Sequence, residues 1–173
     1  CRGNNMGVAV DYGHELMYGN EPADAIYTTK RLGVEVVNFH INNARFNGED
    51  DDMIAGTGNL WRFVDFILAA IETGYEGWVG EDQFTYRVEA IGAMVLSREF
   101  FGNSTKKALL IYNRREELKK AQRSGNMIKI LERAVACPRV YITFPYVNKD
   151  VIPMDMVMTL TGDDLQAYFL KFI

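Results

Sequence analysis

Two glycines fall at the same point of a repeated pattern, and they restrict the fold more than any other feature of the chain. Gly33-Val34-Glu35 opens an apolar run that ends at His40, and Gly74-Tyr75-Glu76 opens one that leads to Glu81-Asp82. Each glycine also closes a helical pattern. Gly33 follows Lys30-Arg31-Leu32, where cations favour a helix C-terminus. Gly74 follows Leu60, Phe63, Val64, Ile67, Leu68 and Ile71, apolar positions spaced by three and four behind a capping Asn59. An earlier unit begins with the short apolar run Met6–Asp11. Asn20-Glu21-Pro22 then supplies an N-cap, an acidic first turn and a helix-starting proline, and Ala23, Ile26, Tyr27 and Lys30 continue that helix. Strand alternating with helix predicts an α/β chain of parallel strands joined by right-handed crossovers. The strands fall at Met6–Asp11, Val34–Asn42 and Gly77–Gln83, with their carboxyl ends on one face.

Asp11, His40 and Asp82 are then the residues at which the three strands emerge. Neighbouring parallel strands lie about 4.8 Å apart, so three successive strand ends can reach one cation without strain. A single Asp at a strand end is ordinarily the cap of the following helix. Two carboxylates with one imidazole form a hard-donor set suited to Mn²⁺, Co²⁺ or Mg²⁺. The loop after His40 adds Asp50, Asp51 and Asp52 among asparagines and glycines. In an extended segment Asp50 and Asp52 point one way and Asp51 the other, which offers two further oxygen ligands. The competing readings are a solvated acidic loop and, for His14, a turn histidine bonded to backbone.

Taken together, Asp11-Tyr12-Gly13-His14, Phe39-His40-Ile41-Asn42, Asp50-Asp51-Asp52-Met53-Ile54 with Gly56, Gly74-Tyr75 with Gly77-Trp78, and Asp82 with Phe84, Tyr86 and Arg87 resemble the C-terminal half of the xylose-isomerase-like sugar isomerases and epimerases. The likeness is nearest to the two-metal xylose and rhamnose isomerases and spans roughly residues 4–100. The resemblance implies a (β/α)₈ barrel and metal-dependent aldose–ketose interconversion by hydride or proton transfer. It implies one divalent metal on Asp11, His40 and Asp82 together with a glutamate from an earlier strand. A second metal is implied at or beside His14, Asp50 and Asp52, with His14 also catalytic and in contact with substrate. Arg45 lies near a substrate-contacting arginine of the related epimerases, one residue out of step. A ketose 3-epimerase and an endonuclease-IV-type metal hydrolase are the alternative activities within the same superfamily, and a non-catalytic half-barrel is the alternative outside catalysis.

Length limits how much of such a barrel fits. A complete one takes about 250 residues, whereas this chain has 173, so the expectation is a partial (β/α)₈ barrel over residues 1–136. The chain opens on Cys1 rather than Met, which fits a fragment. Residues 137–173 are read as an unassigned tail, with a non-native extension as one reading, and contain the β-branched and aromatic run Val140–Val147. Between them, Lys106 to Arg133 carries nine cations against three anions. That stretch is taken as the solvated face of outer helices rather than a nucleic-acid surface. Leu109, Leu110, Leu118, Ile128 and Leu131 are its candidate buried side, and Ser124-Gly125-Asn126 its break. The net charge of −4 argues against nucleic acid as a partner. The absence of a twenty-residue apolar run argues against a membrane. Cys1 and Cys137 show no metal or redox spacing. The expected setting is therefore cytoplasmic, and the resemblance implies a small-molecule sugar as substrate. Exposed strand edges favour a homo-oligomer when full length.

Overall fold

The computed structural model describes residues 6–84 and 89–130. Tyr86, Arg87, both cysteines, the 136/137 boundary and the whole tail lie outside the described residues. What is described is mixed α/β, with three parallel strands in the order β1 (Gly7–Asp11), β2 (Glu35–Ile41), β3 (Trp78–Glu81). All three fall within the strand segments expected from the sequence.

Helices α2 (Pro22–Arg31) and α3 (Leu60–Thr73) make the crossovers between the strands. Gly33 and Gly74 close those crossovers at φ +70° and +73°, a left-handed conformation open to glycine at little cost. Asn59 caps α3 by accepting from the backbone N–H groups of Trp61 and Arg62. The cap of α2 falls one residue later than the sequence indicates. Glu21 occupies it, Pro22 starts the helix, and the Asn20 side chain donates instead to Glu15. A second difference follows β1, where Tyr12–Met17 forms a short helix, α1, rather than an open strand exit.

Register decides which side chains share a face. Val10 stands opposite Phe39, Asp11 opposite His40 and His40 opposite Gly80. Val10, Phe39 and Ile41 are buried in the core. The Phe39 ring lies 5.1 Å from Phe66 of α3, and Tyr12 and Phe100 each lie within about 5 Å of Phe63, at 5.0 and 5.1 Å. Burying aromatic rings against one another in this way supplies much of the driving force that fixes α3 on the sheet. The alternate residues Asn38, His40 and Trp78 face the other way, and Trp78 is 85% exposed.

The basic stretch differs from expectation. Its helix starts well before Lys106, since α4 runs Ala90–Asn113 and is capped by Glu89. The chain breaks at Arg114, continues as α5 (Arg115–Arg123), and turns at Ser124-Gly125 as the sequence predicts. Of the expected buried side, Leu110 and Leu118 pack partly buried against the core, Leu109 and Ile128 are exposed, and Leu131 lies outside the described residues. The fully buried stripe of α4 mixes small side chains, Ala93, Ser97, Ser104 and Ala108, with Phe100 and Ile111. Among the described residues no helix is long and apolar enough to cross a membrane.

Candidate metal centre

Asp11 ends β1, His40 lies at the next-to-last position of β2, and Asp82 follows β3 directly. The alternation of the pleat puts all three on the face away from the helices. His40 Nδ1 sits 3.2 Å from Asp11 Oδ2 and 3.1 Å from Asp82 Oδ2. One ligand atom from each residue lies within 4.8 Å of the other two. Asp11 is buried, His40 partly so, and Asp82 open to solvent, which leaves an entry path on the Asp82 side. Gly80 makes room for the imidazole: a Cβ there would stand 3.3 Å from His40 Cδ2.

Asp11 satisfies both readings that its position allows. Its Oδ1 accepts from His14 N–H at 3.0 Å and caps α1, while Oδ2 faces His40. Capping fixes the carboxylate's rotation, and so fixes the oxygen left for a ligand role.

The acidic loop reaches the same edge by other means. Asn43 and Met53 exchange two backbone hydrogen bonds, 2.8 and 2.7 Å, which close residues 43–53 into a compact loop. Asn47 N–H donates to Leu16 O, and Phe84 N–H to Asp52 O, so the loop is tied to α1 and to the segment behind Asp82. Asp50 Oδ2 comes within 3.3 Å of His14 Nε2, both side chains being half exposed. Asp51 turns away and takes Arg45 in a two-pronged pair of 2.7 and 2.8 Å. Asp52 accepts from Asn42 Nδ2 at 3.4 Å. The divergence of Asp51 from its neighbours was predicted from an extended backbone, but the backbone is not extended, for Asp52 has φ +41°. Burial raises the Asp52 carboxyl above the usual range. The charges of Asp50, Asp82 and Asp11 push the same way, and the Asn42 hydrogen bond opposes them. Arg45, the candidate substrate contact, is engaged by Asp51.

Two residues outside the predicted site complete it. Asn42 is fully buried; its Oδ1 accepts from Gly13 N–H at 2.7 Å while its amide reaches Asp52, so it joins the start of α1 to the acidic loop. Asn38 touches His40 on the ring edge opposite the carboxylates. Asn38, His40 and Asn42 alternate with Phe39 and Ile41, and polar residues at every second place of a buried strand carried the signal for both.

The donor set fits a divalent cation. Cis ligands on an octahedral ion with bonds of about 2.1–2.2 Å stand about 3 Å apart, close to the 3.1 and 3.2 Å observed between His40 Nδ1 and its two carboxylates. Clustered carboxylates repel one another, and a cation relieves that repulsion. No protein-family model matches the chain, and no curated protein matches it.

Proposed function

We propose that the chain is the metal-binding part of a divalent-metal-dependent sugar isomerase, built as the C-terminal half of a (β/α)₈ barrel of the xylose-isomerase-like kind. The observation that carries this reading is the meeting of Asp11, His40 and Asp82 at the ends of three neighbouring parallel strands. The motif resemblance of residues 4–100 supports it. The partial barrel draws support from the exposed Trp78 on the face that carries His40 and from the free edges of β1 and β3 among the described residues. Those edges also favour a homo-oligomer.

Asp11, His40 and Asp82 would hold a divalent cation, which would supply Lewis-acid stabilisation of the charge that develops on the sugar oxygens during isomerisation. His14 and Asp50, half exposed at the rim, hold or pass the hydroxyl proton, and with Asp52 they form the place for a second cation. Arg45 contacts substrate only after parting from Asp51.

The test uses the natural full-length polypeptide, assayed for aldose–ketose interconversion with chelator and then with Mn²⁺ restored. Chelation abolishes activity and Mn²⁺ returns it. His40→Ala and Asp82→Asn each lower the rate by more than about 100-fold, beyond the usual effect of losing an outer-shell partner, with circular dichroism unchanged. Activity indifferent to chelation, or full activity in either variant, would end the metal-isomerase reading.

A further inference from the structure

His40 has two ring nitrogens, and the one turned away from the carboxylates meets a residue outside the candidate ligand set. Asn38 Nδ2 stands 3.0 Å from His40 Nε2. An amide nitrogen only donates, so Nε2 accepts, and the neutral imidazole then carries its hydrogen on Nδ1. That hydrogen points at Asp11 Oδ2 and Asp82 Oδ2, 3.2 and 3.1 Å away. The arrangement suits three side chains without a cation, because one N–H bridges two carboxylates. It does not suit a ligand, because a cation at that place needs the Nδ1 lone pair.

We propose that Asn38 is a positioning residue whose side-chain amide sets the tautomer of His40 and turns over when a divalent cation takes the place of the Nδ1 proton. The inference rests on the metal reading of Asp11, His40 and Asp82. Rotation by half a turn about Cβ–Cγ exchanges the amide's oxygen and nitrogen. Oδ1 then accepts from Nε2–H, and the Nδ1 lone pair faces the carboxylates. The proton leaves Nδ1 for solvent and one returns at Nε2, so the ring stays neutral and no other group changes charge. The amide is free to turn in one specific sense: Asn38 Oδ1 is buried and accepts no hydrogen bond, so rotation breaks none on that side. The backbone around it stays fixed, because Asn38 lies inside β2, paired in register with Ala9 and Trp78. A histidine ligand whose second nitrogen donates to an outer carbonyl is the usual way a protein orients such a ring and raises its basicity.

The sequence holds two histidines, His14 and His40, which makes nitrogen NMR of ¹⁵N-histidine-labelled protein decisive. A His14→Gln variant assigns the two rings. In metal-free protein His40 carries its proton on Nδ1, and on saturation with Zn²⁺, a diamagnetic stand-in, the proton appears on Nε2. Asn38→Asp offers only acceptors, so it puts a proton on Nε2 even without metal. Asn38→Leu offers neither donor nor acceptor; His40 then populates both tautomers and the Mn²⁺ affinity measured by calorimetry falls about 10- to 100-fold, with the fold intact by circular dichroism. A persistent Nδ1 proton in the loaded protein, or Mn²⁺ affinity in Asn38→Leu within about twofold of wild type, would overturn the inference alone. Lack of saturable Mn²⁺ binding by the wild type would overturn the metal reading and this inference with it.

Discussion

The two acidic groups at the carboxyl edge of the sheet are assembled in opposite ways. Asp11, His40 and Asp82 owe their meeting to sheet register: each lies at or beside a strand end, and parallel pairing brings Asp11 level with His40 and His40 level with Gly80, two residues before Asp82. His14, Asp50 and Asp52 owe theirs to side-chain and loop bonds, namely the Asn43–Met53 bridge, the Arg45–Asp51 pair and the Asn42 amide. Moving the first group means slipping a strand, which would turn every buried side chain of that strand to the wrong face. Moving the second means breaking only the hydrogen bonds of a loop. A stiff group on strands beside an adjustable one on a loop is an arrangement in which the first holds and the second adapts to what enters.

Asn42→Leu tests the comparison most severely, since the buried Asn42 side chain ties the start of α1 to the acidic loop and so holds the loop group alone. It strands Gly13 N–H in the interior and releases Asp52. Leaving a buried donor unpaired costs about 1–3 kcal/mol, so the urea midpoint falls accordingly. The His14 ring resonance shifts with α1 while the His40 resonance stays near its wild-type position. Equal movement of both histidines would show that the groups are one unit and that the distinction is false.

Gly80→Ala is a smaller probe aimed at the strand group alone. The added methyl presses on His40 Cδ2 from 3.3 Å, and the ring must yield by a few tenths of an ångström. Mn²⁺ affinity drops by a few-fold, within the range for outer-shell changes, and thermal stability hardly moves. Unaltered affinity would mean that the imidazole has slack that the register does not show.

How much of each group was legible in the sequence follows from the same contrast. Period-two alternation and paired glycines are local signals, so the three strands, both crossover helices and the strand-end residues could be read directly. The partner of Asp51 could not, because whether Arg45 faces the loop or the site depends on a turn built around Asn47 and Asp52, both at positive φ. Nor could the buried stripe of α4. Leucines are the usual guide to a core face, but here Ser97, Ser104 and Ala108 are buried beside Phe100 and Ile111 while Leu109 is exposed. Asn38 and Asn42 were visible as letters, yet their roles depend on what stands across the sheet and the loop.

The mildest test concerns the charge of the loop group. In the metal-free protein the Asp52 carboxyl is raised by burial first, then by Asp50, Asp82 and Asp11, with the Asn42 bond opposing. A carboxyl raised on folding binds its proton more tightly in the native state than in the unfolded chain, where the usual value is about 3.9. Protonation therefore favours the fold: metal-free protein gains stability as pH falls through the raised value, and the gain is complete below the unfolded value. Asp52→Asn removes the ionised form, so it stabilises at neutral pH by less than about 1 kcal/mol, solvent screening keeping the effect small. Part of that gain is independent of pH, because asparagine tolerates the positive φ at this position at least as well as aspartate. The pH-dependent part identifies the carboxylate: the difference between variant and wild type shrinks as the buffer passes from pH 7 toward pH 4. Saturating Mn²⁺ reverses the order, making wild type the more stable, because an ionised Asp52 then has a cation beside it and the amide does not replace that charge. A difference constant across pH, unchanged by Mn²⁺, would remove Asp52 from the loop group and leave His14 with Asp50 alone at the rim.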